Sequence, residues 1–157
     1  NGVIFETPDN ISSDNSSVTL YHTTHTNFNT KIINISGKTK EYFMLENIGH
    51  DGYQAGLDYL IGGNDNTSGI AIWHIDENQS GNSDYTHKLV DLEEAADAGL
   101  DLGSHNGKQT SLFFSGNKTE FSNSTNPNSK TYSGTSSGIT INNISAAGDS
   151  MTFDVSF

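Results

Sequence analysis

Two apolar stretches, EYFMLEN at 41–47 and GIAIWHID at 69–76, set the tightest limit on what this chain can fold into. Both read as strands. Side chains alternate along a strand, so Glu41, Phe43 and Leu45 share one face and Tyr42, Met44 and Glu46 the other. Both faces are mostly apolar, the pattern of a strand covered on two sides. In the second stretch Ala71, Trp73 and Ile75 form one face, and Ile70, Ile72, His74 and Asp76 the other. That second face starts apolar and ends polar, so the strand is expected to run from the core to a polar rim, where any chemistry is expected to sit. Trp73 is the only tryptophan. Its large area places it in the expected core, with Phe43, Leu45, Ile72, Ile141, Phe153 and Val155.

The rest of the chain repeats the strand-and-turn pattern. Strands are expected at 3–5, 17–22, 30–35, 87–92, 112–114, 138–144 and 150–157. In the last of these Met151, Phe153, Val155 and Phe157 alternate with Thr152, Asp154 and Ser156. In GITINNI the alternation through Ile139 and Ile141 breaks at Ile144, which suggests a bulge. Between 47 and 69 lies a long connection in which Leu57, Tyr59 and Leu60 are expected to cover one end of the core. Only LEEAADA at 92–98 has good helical propensity, and it is short. About nine short strands joined by turn residues predict an all-β fold, a β-sandwich or jelly roll with one short helix at most.

A chain of 157 residues fits one domain, here 1–157. The formal charge is −12 and all seven basic residues are lysines. Phosphate contacts need clustered cations, so nucleic acid is not an expected partner. An anionic membrane surface is disfavoured for the same reason, and no apolar run is long enough for membrane insertion. The absence of cysteine excludes thiolate metal sites, disulfides and a cysteine nucleophile. The chain begins at Asn1 rather than Met, so it is expected to be a mature product or a piece of a longer protein. No G-x-S-x-G, G-x-G-x-x-G or P-loop spacing occurs, which leaves serine catalysis and nucleotide binding without support.

Several segments occur in an order that carries a resemblance: EYFMLEN, the D-G-x-x-A-G-L stretch at 51–57, GIAIWHID, HKLVDLEEA, NPNSKTYSGTSSGITINNIS and MTFDVSF. The series resembles the region that follows the zinc motif in secreted metallopeptidases of the immune inhibitor A type, peptidase family M-six. It covers 40–157, and the leading strands of 1–39 match loosely. The family carries its zinc on an H-E-x-x-H helix. Here the closest imitation is His22-Thr-Thr-His25, which lacks the glutamate and falls on a strand rather than on one helix face. No catalytic residue of the family can be carried over to this chain. The resemblance implies a non-catalytic companion portion, secreted and bacterial, with zinc confined to a catalytic domain elsewhere in the parent chain.

Two groups of residues are the candidates for binding chemistry. Asp76-Glu-Asn78-Gln-Ser80-Gly81-Asn-Ser-Asp84 places Asp76, Asn78 and Ser80 at alternate positions, with Gly81 at the sharp turn and Asp84 beyond. Calcium takes about six to eight oxygens on such a loop. The position where a calcium loop needs its last carboxylate is His87, so Asp91 or Glu93 would have to substitute. The alternative is a turn rich in Asn and Asp with no metal. The second group is His74 and His87 with Asp91, Glu93 and Glu94, a weaker transition-metal set. Its alternative is a hydrogen-bonded, half-buried His74, with Glu93 and Glu94 on an exposed helix face. Tyr21, Tyr53, Tyr59, Tyr85 and Tyr132 form a sugar-binding face or pack singly at strand ends.

Together these point to a companion β-sandwich of a secreted metallopeptidase, calcium-stabilised, supporting the catalytic domain or contacting its protein or glycan substrate. The alternative is a free-standing calcium-dependent module that binds glycan or surface protein.

Overall fold

A computed structural model describes residues 7–22, 29–49, 68–96, 99–103 and 107–157. The strand expected at 3–5 and the cover expected from Leu57, Tyr59 and Leu60 lie outside the described residues. The fold is all-β and sandwich-like, with two sheets and no closed barrel. The strands are β1 (Asp9–Ile11), β2 (Asn15–Tyr21), β3 (Lys31–Asn34), β4 (Glu41–Ile48), β5 (Gly69–Asp76), β6 (Val90–Leu92), β7 (Thr140–Asn142) and β8 (Ser150–Ser156). One sheet has the order β1-β3-β4-β5-β6 and the other β2-β8-β7.

The two central stretches pair antiparallel over their whole length, Glu41 opposite Asp76 and Ile48 opposite Gly69. The inner face of the larger sheet carries Ile33, Phe43, Leu45, Ile70 and Ile72, all fully buried. Leu20, Ile141, Met151, Phe153 and Val155 from the smaller sheet complete one continuous core with them. Apolar area leaving water drives this packing. Phe121 lies edge-on to both Phe43 and Phe113 within that core.

Trp73 is not in it. The register sets Trp73 opposite Met44 on the outer face, where it is half-buried and its Nε1 donates to Glu46 Oε1 at 3.1 Å. Its indole N–H needs an acceptor, which an apolar core does not supply. The alternation had assigned Trp73 to the face opposite Ile72, and only one of those faces is the core.

LEEAADA forms no helix over its described part. Its backbone donors are engaged elsewhere: Glu93 N with Ile72 O at 2.9 Å and Ala95 N with Ser111 O at 3.1 Å. The Glu94 carboxylate accepts from Leu100 N, a contact that helical propensity does not foresee. At the other suspected irregularity, Asn143 has φ of 53°, the left-handed region. That single reversal lets Ile144 turn inward alongside Ile139 and Ile141. A second irregularity falls at Ser17, φ 54°, where the β2–β8 register shifts. Asp154 on β8 fastens both, accepting from Ser17 N and Asn143 Nδ2 at 2.7 Å each.

Candidate functional site: a buried polar rim and its cavity

The inner face of β4 and β5 changes character at one end. Beyond Phe43 and Ile72 it carries Glu41, His74 and Asp76, all buried. Buried polar groups must find partners, because an unpaired one costs about 1–3 kcal/mol. His74 takes both ring nitrogens to carboxylates: Nε2 lies 3.1 Å from Glu41 Oε1 and Nδ1 3.1 Å from Glu93 Oε1. A neutral imidazole has one N–H, so two contacts need a second proton within the trio. Burial pushes the Glu93 carboxyl above its usual range, against the hydrogen bond and charge of His74.

Glu41 also accepts from Tyr132 N at 2.7 Å, and its other oxygen lies 3.3 Å from Lys38 Nζ. Tyr132 is thereby fixed over the rim, with its ring between two imidazoles. Its centroid is 4.2 Å from His74 at 15° and 4.1 Å from His87 at 28°. Burial, with Asp91 and Glu93 nearby, pushes its phenol far above the ordinary value. His87 reaches on to Asp76 Oδ2 at 2.7 Å. The segment that presents Tyr132 is held by its own hydroxyls, such as Ser129 Oγ to Ile139 O at 2.6 Å.

Beside the rim is a cavity of about 470 Å³. Asp91, Glu93, Glu94 and Asp101 line it on one side; residues 126–128, Lys130 and Tyr132 line it on the other. Lys88 Nζ bonds Asp91 Oδ1 at 2.6 Å and also Asp101. Burial nevertheless raises the Asp91 pKa. The lining is mostly polar and acidic, and Lys88 offsets part of its negative charge.

Three of the calcium candidates, Asp76, Asp84 and Asp91, are engaged by other groups of the protein. Asp76 Oδ1 accepts from Asn78 N and Nδ2, and Oδ2 meets His87. Burial works against this carboxylate, but the Asn78 and His87 hydrogen bonds prevail and hold its pKa low. Asp84 is spent on Thr86 N and Oγ1, Ser80 is exposed, and Asp91 is held by Lys88. His87 also meets the Gln79 amide at 3.4 Å. Among the described residues no group of three or more His, Asp and Glu is arranged to hold a metal.

The sequence pairing of His74 with Glu93 is a real contact, and Asp91 lies directly opposite His74 in the β5–β6 register. Glu41 was missed, and Tyr132, a candidate for a sugar-binding face, instead stacks between His74 and His87. Glu41 carried a signal, a carboxylate in phase with Phe43 and Leu45. Nothing in the sequence placed Tyr132 at this rim, since its position depends on a contact 91 residues away along the chain. No family model, curated protein or solved structure matches the chain.

Proposed function

We propose that this chain is the non-catalytic β-sandwich companion of a secreted zinc metallopeptidase of the immune inhibitor A type, and that the rim cavity is its recognition site. The observation that supports this reading is a convergence. Four of the segments behind the resemblance meet at the rim, contributing Glu41, then His74 and Asp76, then His87, Asp91 and Glu93, then Tyr132. The core alone gives no reason for a polar cluster at that place. Zinc would sit on an H-E-x-x-H helix in another part of the parent chain, not on these residues.

The cavity itself favours a second reading, a free-standing binding module. The gene sequence upstream of Asn1 separates the two. The companion reading expects an H-E-x-x-H there, and expects the purified chain to leave casein uncut with or without added Zn²⁺. A parent with no zinc motif, or chelator-sensitive hydrolysis by this chain alone, overturns it.

A further inference from the structure

One edge strand of each sheet is covered by an asparagine side chain. On β6, Val90 N donates to Asn82 Oδ1 and Asn82 Nδ2 donates to Val90 O, each at 3.0 Å. On β2, Tyr21 N donates to Asn29 Oδ1 at 3.0 Å and Asn29 Nδ2 to Thr19 O at 3.2 Å. At Val90 one amide gives and takes the same two hydrogen bonds that a residue of an added antiparallel strand would. It shows what that edge can bind. Uncovered strand edges are templates for pairing with another chain, and side-chain caps restrain this.

The cover stops one pair short. Leu89, His74-paired Asp91 and Glu93 point their backbone groups toward β5, as Asp76 N to Leu89 O and Glu93 N to Ile72 O confirm. Val90 and Leu92 therefore point theirs outward. Val90 is closed by Asn82, whereas no described side chain or backbone group closes Leu92 from outside. Leu92 borders the acid-lined cavity. An unpaired strand position and an acid-lined recess thus lie side by side.

We infer that the β6 edge at Leu92 and the adjoining cavity form a strand-addition groove for an extended peptide segment carrying a lysine or arginine. The peptide backbone pairs with Leu92 and its cationic side chain enters the recess beside Asp91 and Asp101. Lys88, held by Asp91 and Asp101, occupies part of that recess from the protein's own side. Main-chain pairing gives such complexes affinity and side-chain recesses give them specificity. A second copy of this chain is the wrong occupant, because two bodies of charge −12 repel. The inference rests on the cavity being the recognition site.

Calorimetry on the whole chain with blocked pentapeptides tests it. The probes are Val-Thr-Lys-Thr-Val, its Leu and Glu counterparts at the third residue, and the Lys peptide N-methylated on alternate amides in each of the two phases. The Lys peptide is expected to bind saturably and to weaken as salt rises. One of the two N-methylated forms is expected to lose binding, and Asp101→Asn to weaken it about tenfold, the effect of one charge-assisted hydrogen bond. Asp91→Asn serves as a second variant should Asp101→Asn disturb the loop. No binding of the Lys peptide, equal binding of the Glu peptide, or indifference to both N-methylations overturns the groove. Dimerisation of the chain through β6 at the same concentrations overturns the choice of occupant. A parent gene without H-E-x-x-H removes the companion reading and leaves these outcomes unchanged.

Discussion

The two ends of the inner face of β4 and β5 are built from the same pair of strands and bury side chains in opposite ways. At one end Leu45, Ile70 and Ile72 meet Leu20, Met151 and Phe153, and the contacts are apolar and non-directional. At the other end Glu41, His74 and Asp76 are just as buried, yet each is held by hydrogen bonds of fixed geometry. Phe43 joins the two, its ring tilted on His74 at 4.6 Å and edge-on to Phe121 at 5.2 Å. An apolar end tolerates exchange of one hydrophobe for another of similar volume. A polar end tolerates few changes, because removing one partner strands the rest. The first supplies the apolar burial that drives folding; the second depends on each buried polar group keeping its partner.

The largest effect is expected at the apolar end. Phe153→Ala should destabilise the fold by about 3–5 kcal/mol, through lost transfer energy and the cavity left behind. Denaturant melts check this, and a loss under about 1 kcal/mol would mean that the smaller sheet does not seal the core.

His74→Ala should cost less, about 1–3 kcal/mol, as Glu41 and Glu93 lose their shared partner. The comparison predicts a difference in kind as well. Combined with Phe153→Ala the losses should add, while His74→Ala and Glu93→Ala together should cost clearly less than their sum. Additivity within the His74–Glu93 pair would dissolve the polar end as a unit.

Tyr132→Leu should remove both ring stacks, at about 1 kcal/mol beyond the change in buried area. Tyr132→Phe should stay within about 0.5 kcal/mol, because the hydroxyl contact with Asp91 is long at 3.5 Å. A Phe variant as damaged as the Leu variant would assign the role to the hydroxyl instead of the ring.

A smaller effect is expected on the outer face. Burial raises the Glu46 carboxyl pKa, and the Trp73 hydrogen bond offsets only part of that. The native state therefore binds this proton more tightly than the unfolded chain. The stabilisation is present below the ordinary glutamate range and is lost as pH rises through the raised value. Glu46→Gln keeps an acceptor for Trp73, so it should stabilise the protein at pH 7 and bring no gain in acid. Melts across that range read the crossover directly.

The smallest effect concerns calcium. While His87 holds Asp76, replacing EDTA with CaCl₂ should change the melting temperature little. His87→Ala frees that carboxylate, and a calcium-dependent rise in this variant alone would show the ion and the ring competing for one place.

How much of this could be read in advance follows from which interactions are local. The passage of β5 from core to rim was legible, because alternation put Ile70, Ile72, His74 and Asp76 on one face and hydropathy changed along it. Ile144 was legible as a fault in the alternation, though not as a left-handed Asn143. Trp73 was misplaced because period two separates faces without saying which one is the core. Glu93 and Glu94 were misread as helix surface, since propensity is a weak prior once tertiary acceptors such as Ile72 O and Ser111 O compete for the same backbone donors. Tyr132 and the Asn82 cover on Val90 depend on contacts between loops, for which a single sequence has no period.

The sharpest test of the account is the exchange rate of the Leu92 amide proton. If this N–H points outward beside the cavity and lacks a partner, it should exchange fast in the free protein, faster than Asp91, which faces β5. Saturation with the Lys pentapeptide should slow Leu92 strongly while Ile70 and Phe153 at the apolar end stay unchanged. Protection of Leu92 in the free chain, or no change there when the peptide is bound, would contradict the reading of the rim as a groove for an extended cationic segment.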